Sequence, residues 1–414
     1  MANDADAGDD YAALPFKEAQ DHLRAKINLP SAKWADVLHG AHTQAFTVAG
    51  ATKEGMLVDF HAAIQKAIDD GTTLADFRQD FDGIVQKYGW SYNGGRAWRT
   101  RLIYETNLTT AYSVGRYQQM TDPDVLRVRP FWMYRHSDAV KHPRPEHVAW
   151  NGLVLRYDDP WWKTHYPPNG WYCHCTVEPM SLRELRALGK SGPDQAPASD
   201  DSLVTLNTTS GPLQISVPKG VDPGWGYNPG EAAHGRPPDS PMQAWEDGQK
   251  KWEPLPPFDR QDPARTARLP VDEPTAKLGP TTASSAEMIA AVKRAIGADS
   301  ASIPLPDGST VQVDATDLGA HLALDRGPFI PFLPEMMSNP AEIWLAFERN
   351  LVDGRVVLRK RVLKVIHTGK QRGLVLVIQS VAGRLEAWTF FRSNDPKYIE
   401  RLRIGRLIWS RNVE

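Results

Sequence analysis

Pro167-Pro-Asn-Gly-Trp-Tyr-Cys-His-Cys175 joins a turn to the only two cysteines of the chain, and its reading decides how the front half folds. Pro-Pro-Asn-Gly is turn chemistry, because proline fixes φ and Asn-Gly accepts positive φ. In an extended run, alternate residues share a side, so Cys173 and Cys175 can face one ion. They lie too close for a framework disulfide, and a reduced compartment is the natural expectation. His136, His142, His147, His165 and His174 fall in the same 40-residue region. A tetrahedral Cys2His2 zinc site needs two imidazoles at ~2 Å from the metal, and His136 and His147 are the expected suppliers. Zinc sites more often use Cys-x2-Cys, so the alternative is two packed thiols with histidines hydrogen-bonding the loop backbone. A nucleophilic Cys/His pair is set aside, since nothing in the sequence supplies the cationic or helix-N-terminal surroundings that lower a thiol pKa.

Working outward, the periodicity changes on either side of this loop. Pro130-Phe-Trp-Met-Tyr134 and Leu153-Val-Leu-Arg-Tyr157 read as short strands, and Trp161, Trp162 and Trp171 load the intervening loops with rings that must fold onto something. Upstream, residues 14–120 read as helices. Leu74, Phe77, Phe81 and Ile84 recur at intervals of three and four behind Thr73, an N-cap for Asp76. The segment 56–68 behaves likewise and stops at Gly71. After Gly94-Gly95, residues 96–120 allow seven helical turns, with Asn107, Thr109 and Thr110 interrupting the apolar stripe.

Downstream, 190–282 is rich in Pro, Gly, Asp and Ser and reads as linker, although 217–230 is too aromatic for a spacer and is expected to pack back on the front domain. Order returns at Ser284-x-x-Glu287, a capping box, followed by a hairpin turning at Asp307-Gly308. Residues 316–325 and 341–350 read as short helices, the second with Pro340 at N1. Strand-like runs 356–366, 374–380, 385–391 and 404–410 close the chain. The expected fold class is α+β throughout: a helical domain at 1–188 (core about 50–180) with a small Cys/His strand-loop region, an irregular linker at 189–283, and a small α+β domain with an antiparallel sheet at 284–414.

Composition sets the outer bounds. With 414 residues, 41% hydrophobic and 24% charged, two to three globular domains at ~150 residues each are expected. No run of ~18 apolar residues is present, so no membrane span is expected, and the acidic start MANDADAGDD lacks the regions of a secretory signal. The net charge of −2 hides an asymmetry. Residues 341–414 hold 15 Lys and Arg against 7 Asp and Glu, a surplus of 8, which leaves −10 for the remainder. A basic module on an acidic body points to a polyanion partner.

Arg135-His136, His147-Val-Ala-Trp-Asn-Gly152 and Pro167–Cys175 in that order resemble the signature of the phage Mu F-like head morphogenesis family. The helix with Tyr104-Glu-Thr-Asn107, Ala111 and Gly115-Arg116, and the stretch Pro218-Lys-Gly-Val-Asp-Pro-Gly-Trp-Gly-Tyr-Asn-Pro-Gly230, extend the resemblance over roughly 50–235. It implies a minor capsid component of the virion head, made in the host cytoplasm, with the portal protein and major capsid protein as partners. One position departs: a basic residue commonly sits between the two cysteines, and here it is His174.

The C-terminal half resembles the phage barnase–EndoU–colicin–RelE-like nuclease domains. The carrying residues are His321-Leu-Ala-Leu-Asp-Arg326, Leu333-Pro-Glu335, Asn339-Pro-Ala-Glu-Ile343, Arg359-Lys-Arg361 and Ala387-Trp-Thr-Phe390. The resemblance implies a metal-independent ribonuclease with RNA as substrate, no cofactor and an immunity protein as a candidate partner. Such an enzyme needs a base, an acid and cations for the phosphorane. His321 and Glu342 are the expected acid/base pair, with His367 in reserve. Period 2 puts Arg355, Arg359 and Arg361 on one strand face, with Thr389 and Arg392 on a later strand. Two other readings compete: a structural domain whose arginines bind packaged DNA or the portal without chemistry, and an ADP-ribosyl transferase, which the lack of a Gly-rich phosphate loop opposes.

Overall fold

The computed structural model describes residues 16–411 except 139, 141, 237–251, 261, 263–267, 370 and 382. The chain divides into two compact units: Met1–Lys250 with Leu351–Arg355, and Lys251–Asn350 with Val356–Glu414. No described helix is long and apolar enough to cross a membrane.

The first unit opens with α1 (Lys17–Arg24), strands β1 (Ile27–Asn28) and β2 (Ala45–Phe46), then α2 (Glu54–Asp70), α3 (Leu74–Tyr88) and α4 (Arg96–Met120). Thr73 caps α3 as expected: its hydroxyl accepts from Asp76 N–H while the Asp76 carboxylate reaches back. Gly71 ends α2 in the left-handed region. The inward stripes of α2, α3 and α4 bury Phe60, Phe77, Phe81, Ile84 and Ile103 in one core. Three polar side chains of α4 bond within the helix, while Thr106 Oγ1 is buried with no partner. Thr100 and Thr110 hydroxyls donate to the carbonyls of Arg96 and Thr106, and Asn107 donates to Ile103 O.

A second core forms around β3 (Phe131–Arg135), α5 (Pro145–Ala149), β4 (Val154–Arg156) and β5 (Thr176–Met180), with sheet order β4-β3-β5. Trp132, Tyr134, Trp150, Trp161, Trp162 and Tyr166 fill it, mostly edge to face. The expected linker holds regular structure: β6 (Ser202–Thr208) and β7 (Gly211–Val217) make a seven-pair hairpin whose Leu206, Leu213, Ile215 and Val217 are buried. Residues 217–230 lie against the Cys loop. Asp222 pairs with Arg144, accepts from Trp171 N–H and donates its own N–H to Asn169 O. A short α6 (Pro229–His234) follows, capped by Asn228.

The second unit contains β8 (Trp252–Pro254), β9 (Val271–Asp272), α7 (Ser285–Ile296), β10 (Ser300–Pro304), β11 (Thr310–Asp314), α8 (Ala315–His321), α9 (Leu333–Ser338), β12 (Glu342–Asn350), β13 (Val356–His367), β14 (Gln371–Val381), β15 (Arg384–Ser393), α10 (Pro396–Arg401) and β16 (Arg406–Ser410). The Ser284 N-cap, the hairpin and the four late strands lie where the sequence puts them, but the box does not close, because the Glu287 carboxylate accepts from Ala283 N–H instead of Ser284 N–H. The sheet runs β10-β11-β15-β14-β13-β12-β16, antiparallel except for one parallel bridge between β11 and β15, with β8 on β12 and parallel β9 on β13.

One element differs in kind. Residues 341–350, expected as a helix, form β12, and Glu342–Phe347 are buried on both faces. A continuous apolar run reads equally as buried helix or central strand. Pairing with β13 on one side and with β16 and β8 on the other decides it.

Candidate metal centre and candidate active site

In the first unit, Cys173, Cys175 and His147 are buried, with their ligand atoms within 4.8 Å of one another. His147 Nδ1 stands 3.7 Å from Cys173 Sγ and 3.6 Å from Cys175 Sγ, and His136 Nδ1 is 3.5 Å from Cys175 Sγ. Bond lengths of ~2.3 Å to sulfur and ~2.05 Å to nitrogen give a tetrahedral S–N edge of ~3.6 Å. The separations among His147, Cys173 and Cys175 therefore suit one zinc-sized ion, while His136 stands close to Cys175 only, outside the three-residue group.

The surroundings orient the donors. His147 Nε2–H donates to Gly220 O at 2.8 Å, which leaves Nδ1 with its lone pair toward the sulfurs. Gly220 sits at φ +78°, and a Cβ there would lie 2.6 Å from the Trp150 ring, so only glycine brings this carbonyl so close. A hydrogen bond from the Cys173 thiol, the largest cause, holds the Cys175 thiol well below its usual range, which makes it the thiolate of the pair. His174 points the other way, 3.4 Å from the Glu105 carboxylate on α4, so this side chain lies outside the cluster. His165 stacks on Trp161 at 4.5 Å and takes no part, and His142 is exposed.

In the second unit, register separates the candidates by face. Lys364 bonds Asn339 O and pairs with Glu335 of α9, so the even-numbered side of this part of β13 faces the helices. Arg359 and Arg361 are on the opposite face, as period 2 requires. Both pair with buried Glu348, and Arg359 also lies over the Trp252 ring at 4.2 Å. They are thus neutralised in part rather than presented as an open cationic row, although Arg361 Nη1 is buried with no partner. Arg355, the third member, precedes β13 and is exposed, with its backbone N–H bonded to Asp353.

Glu342 does not serve as a proton carrier beside His321. It is on the face of β12 opposite α9, 6% exposed, gripped by Arg403 through two bonds of 2.7 and 2.6 Å and by Trp344 Nε1–H. A carboxylate so fully paired has neither a free lone pair aimed at substrate nor access to it. His367 is also elsewhere, 3.1 Å from Glu273. Arg392 covers the Phe329 ring on the helix side.

His321 ends α8 and packs on Trp388 with ring centres 4.7 Å apart. Its Nδ1–H donates to Asp317 O at 2.7 Å, so Nε2 is the acceptor nitrogen. Trp388 occupies the extra position of a β-bulge in β15, where Val377 pairs with Thr389 and Ile378 with Ala387. Next to it, Thr389 Oγ1 accepts from Arg326 at 2.9 Å, and the same guanidinium nitrogen donates to Phe390 O. Trp344, Arg361, Val377 and Thr389 stand in one cross-strand row. Arg326 and Thr389, bonded to each other, and His321 on the neighbouring Trp388 form the candidate constellation, while Arg361 lies one strand further on, paired with Glu348 on the face opposite α9. Arg326 and Trp388 are its new members. Arg326 lies five residues after His321 in the same motif, a signal within reach of sequence reading, whereas the bulge at Trp388 is set by pairing.

These two constellations coincide with two recognised segments. Residues 59–178 match the family described as Phage Mu protein F like protein, and residues 287–410 match phage-Barnase-EndoU-ColicinE5/D-RelE like nuclease2. The chain therefore joins a Mu F-like segment to a nuclease-like domain. Among curated proteins it is similar to the "Putative capsid assembly protein F" of Escherichia phage Mu, 34% identical over 255 residues, 54% of this chain and 56% of that protein. It is also similar to the "Mu-like prophage FluMu F protein" of Haemophilus influenzae, 34% identical over 224 residues, 49% and 53% of the two chains. The chain spans about half the length of these curated relatives. No solved structure matches.

Proposed function

We propose that this protein is a phage head assembly component that carries a metal-independent ribonuclease at its C-terminal end. The assembly part rests on the Mu F-like segment and on the capsid assembly named for its relative. Its expected partners are the portal and major capsid proteins, and its place is the virion head, after synthesis in the host cytoplasm. The protein should sediment with proheads or virions and resist external protease there. Recovery from the soluble lysate alone, with none in particles, defeats this part.

The observation that carries the nuclease part is the His321 tautomer. With Nδ1–H held by Asp317 O, Nε2 is left as the acceptor that takes a 2′-hydroxyl proton, and Arg326, bonded to Thr389 next to Trp388, is suited to a phosphorane. Replacing His321 by Ala should lower RNA cleavage ~100-fold while RNA binding persists. Equal cleavage by both proteins removes His321 from the chemistry. An immunity protein that masks this surface is a further expected partner. The structural reading retains one support, the pairing of Arg359 and Arg361 with Glu348, which needs no substrate.

In the first unit, we read Cys173, Cys175 and His147 as the holders of a structural zinc ion, with His136 as the expected fourth donor. A metal held there would tie the loop 167–175 to α5 through His147, whose Nε2–H is already supported by Gly220 O.

A further inference from the structure

The first unit holds a cavity of about 680 Å3 unrelated to the metal cluster. Its size lies within the ~300–1,000 Å3 of small-molecule sites. One wall is the polar stripe of α4, with Arg99, Thr106, Asn107 and Thr110. The others bring indoles from separate parts of the chain: Trp34, Trp90, Trp98, Trp171 and Trp225. Trp171 meets Trp34 and Trp225 edge-on, at 6.0 and 5.1 Å between centres.

The charge of this cavity is one-sided. Lys26, Lys33, His42 and Arg99 line it, and no Asp or Glu does so among the described residues. Lys33 is used, donating to Thr208 O. Lys26 is only 7% exposed, and no hydrogen-bond or ion-pair partner for its ammonium exists among the described residues. Burial alone pushes its pKa down to about 8. The titratable groups it influences are His22, His42 and His61, all of the same potential sign. Arg99, also 7% exposed, donates to Ala49 O and lies over Trp90 at 5.3 Å, and its Nε has no acceptor.

Two nearly buried cations without a counter-charge are costly in a core whose purpose is packing, and a wall of rings needs neither of them. An anionic ligand removes that cost. The rings call for a flat partner, and the side-chain amides of Asn93, Asn107 and Asn207 offer donors and acceptors together. Asn107 spends one N–H on Ile103 O and keeps its carbonyl. An acidic peptide satisfies the cations but has no use for five indoles, whereas a phosphate joined to a base uses both.

We propose that this cavity binds a nucleotide, Lys26 and Arg99 taking the phosphate and the tryptophan walls stacking the base. Its source is either a free mononucleotide or the phosphorylated end of a DNA strand. The full-length protein should be titrated with deoxyadenosine monophosphate, following tryptophan fluorescence and heat. Saturable binding is expected, with inorganic phosphate and deoxyadenosine each weaker by ~10-fold or more. Lys26→Met should weaken the nucleotide by ~10-fold or more without lowering the melting temperature, since it removes an unpaired buried charge. Trp98→Ala, at a half-exposed position, is the second variant and should weaken binding similarly. A 5′-phosphorylated oligonucleotide that binds more tightly than the monomer, again through Lys26, assigns the source as a strand end. No saturable binding, or full affinity in both variants, overturns the site; the latter places the nucleotide on the second unit. An acidic peptide that saturates the cavity through Lys26 while the nucleotide does not overturns the ligand class.

Discussion

Elemental analysis of the purified protein should find about one zinc ion per chain, and Cys173→Ser with Cys175→Ser should abolish it. The double variant should also lose several kcal/mol of stability in the first unit, because metal binding is linked to folding. The effect is large for a structural reason. The loop 167–175 lies on a core of Trp150, Trp161 and Trp162, and its closure onto α5 runs through His147 and the two sulfurs. Without an ion, the pair is left as a buried thiolate and a thiol. A metal-free native protein that melts in one sharp transition, unaltered by the serines, leaves packing as the whole explanation.

Arg403→Met should destabilise the second unit by about 3–5 kcal/mol, because it strands the Glu342 carboxylate in a site that is 6% exposed. Arg403 itself is 2% exposed and also meets Glu400, so its loss removes the bidentate partner of one carboxylate and a neighbour of another. For a unit of this size the midpoint should fall by on the order of 10 °C. Adding Glu342→Gln should recover part of the loss, since the residual Trp344 Nε1–H bond can be kept by an amide oxygen. An unchanged midpoint in Arg403→Met contradicts the structural role assigned to Glu342 and reopens it as a proton carrier.

Local chemistry was legible in the residues themselves. Thr73 with Asp76, Ser284 with Glu287, Gly71 and Asp307-Gly308 each specify a cap or turn over a few residues, and each is found. The Cys-x-Cys spacing likewise put both sulfurs on one side of an extended run, with His147 within reach. Features set by distant pairing were not legible. Glu342–Asn350 has apolar residues on both faces and a proline before it, which suits either element until β13, β16 and β8 are present. The bulge that isolates Trp388 exists only relative to β14. The Glu348 carboxylate that takes Arg359 and Arg361 comes from the strand misread as helix, so the ion pairs were hidden with it. The β6–β7 hairpin was a different failure. Leu213, Ile215 and Val217 alternate plainly, but the Pro- and Ser-rich surroundings outweighed them.

The central claim, that the second unit cuts RNA through His321, is tested most directly by the ends it leaves. The full-length protein should be incubated with RNA without added divalent cation, beside His321→Ala, and the products sequenced at both termini. The expected result is 2′,3′-cyclic phosphate and 5′-hydroxyl ends from the native protein, ~100-fold fewer from the variant. Intact RNA with both proteins, or cleavage that survives loss of His321, contradicts it.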